Sequence, residues 1–335
     1  MSLSATGALA VFEMSPGVIV DPERQTAYLM LPGGGIHAVD LRSGETLWES
    51  AVAAKPLLLH DDLLYAQAEP KGGAGALHIV SLKAKSGEAA GFAVALELPD
   101  GVSASVEHDG RDSFAATARM QDGAMFVSWS FSRAATRRSE KPHLRRAILR
   151  VDLKSGQAER IEPGEAPVSP GPRLPEAVAR ADERGTLLRA PRHVGDWFSA
   201  PAHAEDDEAA VVLKRWQATS GEPAADVPLF DGEATIRYAS TDDRHLLASR
   251  LDVEGDRQNR YVWSIFSLED GERVATVRRP LVAARFFLSG SSLLHLSPAE
   301  HRLVDGERVE APPAIHAVHV ETGATLWTIP VRDFR

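Results

Sequence analysis

One phrase recurs six times along the chain and constrains its fold more than any other feature. Each copy has a short strand of alternating apolar residues, then a polar turn that ends in Ser-Gly, Thr-Gly or Asp-Gly, then a second strand. The glycine of each turn can supply the positive φ that a tight turn requires. These six glycines are Gly44, Gly87, Gly156, Gly221, Gly271 and Gly323.

A second phrase precedes most copies of the first, and consists of an acidic or glycine turn followed by a strongly apolar strand. It begins at Asp61, Asp122, Asp242 and Ser289. Together the two phrases give each repeat the order strand A, short turn, strand B, variable loop, strand C, glycine turn, strand D. The sequence therefore predicts an all-β protein, a β-propeller of four-stranded antiparallel blades.

Six blades account for the six glycine turns, and a seventh stays possible because the two longest intervals between these glycines could hide one. We expect one domain over residues 1–335, with an N-terminal strand at 8–13 that helps to close the ring. A proline-rich inter-blade loop at 163–184 should contain one short helix, near 175–181. The six blades are predicted at 17–53, 54–98, 99–162, 185–230, 234–279 and 281–330.

The first and last repeats continue to a tryptophan four residues after the turn glycine, at Trp48 and Trp327. The run Ala-Val-Asp-Leu-x-Ser-Gly-x-x-Leu-Trp, read at residues 38–48, resembles the PQQ-like (quinoprotein) propeller repeat. This resemblance is sharp in the two end repeats and weaker in the middle four. It implies a ring of blades around a channel. We expect each tryptophan to fill the wedge between neighbouring blades and not to bind a ligand.

Successive strands of a blade reverse direction, so the A–B and C–D turns lie at one rim and the B–C and D–A loops at the other. The turns at the first rim are short, and nearly all expansions belong to the second. Long loops on a rigid scaffold often carry binding, so we expect the functional surface at the loop-rich rim. The expansions fall at about 67–76, 131–146, 163–185, 252–260 and 297–314.

The insertion at 131–146 is rich in arginine and lysine, in a chain whose net charge is −10. Such a cluster can bind a carboxylate, a phosphate or an acidic protein through bidentate guanidinium contacts. The alternative is a hairpin extension that only exposes its charges to solvent. The candidate partner-binding residues are Arg137, Arg138, Lys141, Arg145 and Arg146.

Other motifs predict no metal, cofactor or catalytic site. The acidic run 205–208 lacks the alternating carboxylates of a calcium loop. His316 and His319, three residues apart on a strand, should face opposite sides of the sheet, which argues against zinc. The glycine runs at 33–35 and 72–75 have neither the order nor the following helix of a phosphate-binding loop.

Charge and composition narrow the partners and the location. A net charge of −10 disfavours nucleic acid and anionic membranes, and the absence of cysteine excludes disulfides and thiolate metal sites. No stretch approaches the roughly 20 apolar residues of a membrane span. The N-terminus lacks the basic start and long apolar run of a secretion signal. We expect a cytoplasmic protein, or an exported one if a signal peptide has been removed.

The family resemblance raises the possibility of a PQQ-dependent dehydrogenase. Such enzymes are larger and eight-bladed, with a signal peptide, a disulfide of adjacent cysteines and calcium ligands, and this sequence has none of these features. The sequence therefore favours a non-catalytic scaffold that binds a protein partner through its loop-rich face. An enzyme or small-ligand-binding propeller, with its site at the mouth of the central channel, is the alternative.

Overall fold

The β-propeller fold class with six four-stranded blades is confirmed. The computed structural model describes residues 12–15, 17–69, 75–104, 112–133, 143–162, 174–183, 185, 187–204, 210–230, 235–237, 244–252, 261–279, 285–304 and 307–332. Six antiparallel sheets follow one another along the chain, and each has four strands in the order A to D. The described residues form no seventh sheet of this kind.

The first three sheets come from the N-terminal half of the chain. The first has a fifth strand, β1, beside strand A; β1 starts at Phe12, and residues 8–11 of the N-terminal strand expected at 8–13 lie outside the described residues. The strands are β1 (Phe12–Ser15), β2 (Val18–Asp21), β3 (Thr26–Met30), β4 (Ile36–Asp40) and β5 (Thr46–Ser50); β6 (Lys55–His60), β7 (Leu63–Gln67), β8 (Ala76–Lys83) and β9 (Ala89–Glu97); and β10 (Asp112–Gln121), β11 (Ala124–Arg133), β12 (His143–Val151) and β13 (Ala158–Ile161).

The remaining strands follow one helix, which confirms the short helix predicted near 175–181. The residues predicted as a loop at 297–314 include a two-stranded hairpin, β24 and β25, between strands B and C of the last sheet. The elements are α1 (Glu176–Glu183); β14 (Arg192–Val194), β15 (Trp197–His203), β16 (Val211–Gln217) and β17 (Val227–Phe230); β18 (Thr235–Arg237), β19 (His245–Leu251), β20 (Tyr261–Ser267) and β21 (Arg273–Arg279); β22 (Phe286–Ser289), β23 (Ser292–Ser297), β24 (Glu300–Val304), β25 (Glu307–Ala311), β26 (Ala314–His319) and β27 (Thr325–Pro330).

Local chemistry explains the C–D turns. In the first sheet, Asp40 Oδ1 accepts hydrogen bonds from the backbone N–H groups of Arg42 at 2.9 Å and Ser43 at 2.8 Å. Gly44 adopts a φ of 73° and donates its N–H to the Asp40 carbonyl at 2.8 Å. Asp152 makes the same two contacts in the third sheet. The Asp-Leu-x-Ser-Gly phrase thus builds one kind of turn wherever it occurs.

The chain divides into two compact units. Unit 1 contains residues 1–168, 298–315 and 327–335, and unit 2 contains 169–297 and 316–326. The core of unit 1 includes one apolar cluster around Trp129 and Phe131 and another around Tyr28 and Leu64. In unit 2 the largest fully buried side chain is Trp263, which packs with apolar residues of β20 to β23 and β26.

Both repeat tryptophans pack against the glycine turn of another sheet within unit 1, as predicted. The indole of Trp48 lies against Gly87 and donates to the carbonyl of Ala84 at 2.8 Å. Trp327 lies against Gly44 and donates to the carbonyl of Leu41 at 3.1 Å. The second contact brings the C-terminal strand β27 onto the first sheet.

Candidate functional site

The second, third and sixth sheets each have a short-turn end and an end with longer connections, whereas the connections of the first sheet have four or five residues at both ends. Strands A and B are joined by two residues in the second, third, fourth and sixth sheets, at 61–62, 122–123, 195–196 and 290–291. The B–C and D–A connections are longer, for example 68–75 and 98–111 in and after the second sheet. We use "loop-rich end" for the end of a sheet that carries these longer connections.

Arginines at the short-turn ends connect neighbouring sheets. In unit 1, Arg24 pairs with buried Asp21 of its own sheet and with Asp62 of the second sheet, at 2.6 Å in each case. In unit 2, Arg215 Nη1 donates to the carbonyl of Glu269 at 2.7 Å. These cations serve the packing of one sheet on the next.

The structure describes only two of the five candidate partner-binding residues. Arg137, Arg138 and Lys141 lie outside the described residues. Arg145 and Arg146 lie on β12, where they pair in register with Phe131 and Ser130 of β11. Because β11 continues to Arg133 and β12 starts at His143, both ends of the predicted insertion are antiparallel hairpin and not loop.

The end of this hairpin presents charge beside apolar surface. Leu144 is 64% exposed, and its neighbours Arg145 and Arg146 are also exposed. Arg145 Nη1 donates to the carbonyl of Asp100 at 2.8 Å. Arg133, the last residue of β11, makes two hydrogen bonds to Asp112 of β10, of 2.8 and 2.5 Å. The hairpin therefore offers a braced surface at the loop-rich end of the third sheet.

A second group of polar side chains lies in unit 2, at the loop-rich ends of the fifth and sixth sheets. We call it the histidine cluster, and its members are Trp263, Arg279, His295, Ser297 and His316. The rings of His295 and His316 stack with centroids 4.9 Å apart and planes 20° apart. Trp263 meets His295 edge to face at 5.1 Å. Ser297 Oγ lies 2.9 Å from His316 Nε2. Four strands thus bring these side chains together.

Burial determines the charge of this cluster. His295 is only 4% exposed, and burial, assisted by nearby His316 and Arg279, lowers its pKa to about 3. A hydrogen bond with the Leu296 backbone acts in the opposite direction. His295 is therefore neutral near pH 7. Burial also lowers the pKa of Arg279, which nevertheless stays far above neutral because a guanidinium has so high a reference value.

Among the described residues, three buried nitrogen atoms of the cluster find no hydrogen-bond partner: Nε2 of His295, Nε1 of Trp263 and Nε of Arg279. A buried polar group that stays unpaired costs about 1–3 kcal/mol, and each such group in a folded protein needs an explanation. A ligand or an ordered water with acceptor atoms would satisfy the donors of Trp263 and Arg279.

The sequence draws attention to His316 but does not reveal the histidine cluster. The sequence places His316 near His319 along the same strand, whereas in the structure the ring of His316 stacks on that of His295. The available signal was a histidine near the loop-rich end of strand B and another near the same end of strand C in the last repeat. It does not reveal Trp263 or Arg279, which belong to the preceding sheet.

Within the described ranges, no three His, Cys, Asp or Glu side chains form a group that could hold a metal ion. Among the helices of the described chain, none has the length and apolar character needed to cross a membrane.

Comparisons with known proteins assign no family to the chain. Neither the protein-family models nor the curated proteins contain a match. Among solved structures, a europium-containing methanol dehydrogenase is similar at 10% identity, over 97% of this chain and 72% of that chain, with a TM-score of 0.28. The β-propeller domain of Cps50 (Swd1) from Myceliophteria thermophila is similar at 10% identity, over 96% and 88%, with a TM-score of 0.30.

A structure of the eukaryotic initiation factor is similar at 11% identity, over 99% of this chain and 90% of that chain, with a TM-score of 0.37. At these identities and TM-scores, the assignment of fold class rests on the chain's own six sheets.

Proposed function

We propose that this protein is a non-catalytic scaffold of the PQQ-like repeat class that binds a protein partner through its loop-rich ends. The observation that carries the proposal is the β11–β12 hairpin. It places exposed Leu144 and exposed Arg146 on one face of β12, near the side-chain contact between Arg133 and Asp112. Exposed apolar area beside arginine is typical of residues that contribute strongly to protein interfaces.

Charge favours an acidic patch on the partner. Arg145 and Arg146 lie on the hairpin, and the adjoining residues Arg137, Arg138 and Lys141 extend the positive charge in sequence. A local cationic surface on a chain of net charge −10 directs encounter with an anionic surface and discriminates against other orientations. Recovery of the partner should therefore decrease as ionic strength rises.

The test compares two charge-reversed variants of equal net charge. One carries Glu at Arg137, Arg138, Arg145 and Arg146. The matched control carries Glu at four exposed basic residues in or beside C–D turns: Arg42, Lys85, Lys154 and Arg273. Each protein is cross-linked in its native host and recovered by affinity purification, after circular dichroism has shown that it is folded.

We expect the hairpin variant to lose a partner that the wild type and the control both retain. Equal recovery with both variants would remove the hairpin from the binding surface. Equal loss with both would show that net charge matters and its position does not. A Leu144→Ser variant tests the apolar part of the surface without changing charge.

A further inference from the structure

We propose that the histidine cluster of unit 2 is a binding site for a small oxyanion, such as a carboxylate or a phosphate, held by Arg279 and Trp263 beside His295. This inference is independent of the scaffold function. It assigns a ligand class to a buried polar region between two sheets, the one formed by β18 to β21 and the one that contains β22, β23 and β26.

The unpaired atoms define the chemistry of the ligand. The indole Nε1 of Trp263 and the guanidinium Nε of Arg279 can only donate, so both require an acceptor. Nε2 of His295 donates when it carries the proton, in one neutral tautomer or in the imidazolium form. A carboxylate or phosphate supplies several acceptor atoms at once and can therefore satisfy more than one of these donors.

The positive charge of the cluster also favours an anionic ligand. Arg279 is half-buried, and Nη1 uses one donor on Thr325 Oγ1 at 3.3 Å. Burial lowers the pKa of Arg279, and within the described part of the chain no acidic residue acts against that decrease. A partly desolvated cation without a nearby carboxylate attracts an anion strongly. The same positive charge opposes a metal cation beside the two imidazoles.

The aromatic side chains beside His295 are buried, so a ligand at this place must be small. Phe286 is fully buried and pairs in register with His295, and Trp263 is fully buried on the other side. His316 stacks on His295 and is held in turn by Ser297. These contacts orient the imidazole of His295 before any ligand arrives, which lowers the entropic cost of binding.

The first experiment uses the wild-type protein. Acetate and inorganic phosphate are titrated at constant pH and ionic strength, with chloride as the control, while imidazole signals are followed by histidine-selective NMR. A His316→Gln variant assigns the affected pair. We expect the signals of His295 and His316 to move in a saturable manner with acetate or phosphate but not with chloride. No movement, or the same movement with chloride, would overturn the proposal.

The second experiment uses two neighbouring arginines of β21. Arg279→Gln removes the cation of the site, whereas Arg278→Gln removes an exposed arginine that pairs with Asp252 at 3.1 Å. Affinity for the oxyanion, from the midpoint of the NMR titration, should fall at least about tenfold in Arg279→Gln because a charge-assisted hydrogen bond is lost. It should be unchanged in Arg278→Gln.

Trp263→Phe is a second variant that keeps an aromatic ring and removes the N–H donor, so it tests the site if Arg279→Gln does not fold. It should also weaken binding. Wild-type affinity in a folded Arg279→Gln or Trp263→Phe protein would show that the anion binds elsewhere and would overturn the assignment.

Discussion

The indole ring of Trp327 lies so close over Gly44 that a Cβ atom added to this glycine would come within 2.5 Å of the ring. Trp327 also donates its Nε1–H to the carbonyl of Leu41, 286 residues earlier in the chain. A glycine that the sequence explains by turn geometry therefore has a second role, because only hydrogen at this position leaves room for the indole.

Gly44→Ala should destabilise the protein more than turn strain alone can explain. The substitution places a side chain at a φ of 73°, which costs about 1–2 kcal/mol, and it also displaces Trp327. We expect a total loss of about 2–5 kcal/mol in the free energy of unfolding, since overpacking adds about 1–3 kcal/mol to the strain. Urea denaturation followed by tryptophan fluorescence measures it.

The control for this prediction is Gly323→Ala. Gly323 occupies the same place in the last repeat with a φ of 68°, but no atom of the residues that the structure describes lies within 4 Å of the position that its Cβ would take. It should lose only the strain, about 1–2 kcal/mol. Equal losses in the two variants would mean that the Trp327 contact does not limit the side chain at Gly44.

Asp40→Ala should weaken the first C–D turn. The carboxylate accepts two backbone N–H groups and the hydroxyl of Ser43, and these bonds, led by that from the Ser43 backbone, hold its pKa below the usual value. We expect a loss of about 1 kcal/mol at pH 7, the typical net worth of such hydrogen bonds. Thermal unfolding at several pH values measures it.

The sign of the pH dependence follows from the lowered pKa of Asp40. The stabilisation is present above the ordinary carboxyl pKa and disappears as the pH falls through the folded-state value, so the variant and the wild type should converge in acid. Gln217→Ala, at the equivalent place in the fourth sheet, is the control. A loss as large in that variant would mean that the carboxylate of Asp40 is not responsible.

His295→Gln should reduce the loss of stability in acid. The folded-state pKa of His295 is about 3, below the value of about 6.5 expected for the unfolded chain. The unfolded state therefore binds a proton first as the pH falls, and His295 destabilises the fold between about pH 6.5 and pH 3, by up to about 1.4 kcal/mol per pH unit.

Denaturant unfolding at pH 7, 5 and 4, in buffers without phosphate or carboxylate, measures this slope. The variant can be less stable at pH 7, so the change with pH is the informative quantity. His60→Gln, at the last residue of β6 and outside the histidine cluster, is the control and should keep the wild-type slope. An unchanged slope in His295→Gln would show that this histidine is not buried in its neutral form.

Sequence alone predicted the repeating unit because its causes are local. The carboxylate of Asp40 and the positive φ of Gly44 lie within five residues, so the turn and the two strands beside it can be recognised wherever the phrase occurs. The long interval between Gly87 and Gly156 left a seventh blade open. In the structure this interval contains the long strands β9 to β12. The pattern of turns does not give the lengths of the strands between them.

The candidate sites were predicted less well. The positive charge of Arg145 and Arg146 was evident, but their place on a paired strand depends on the register between β11 and β12. The sequence predicts a loop where the structure has the hairpin of β24 and β25. The pairing of two polar segments leaves little trace in hydrophobic periodicity, so the sequence does not reveal it.

The sequence by itself determined the all-β class, the six glycine turns, the strand order and the packing role of both tryptophans, because these follow from residues that are close together in the chain. Only the tertiary structure decided that Trp327 covers Gly44 and that Trp263, Arg279, His295 and His316 meet. Such contacts depend on strand register and on how one sheet packs against another, and no short segment contains that information.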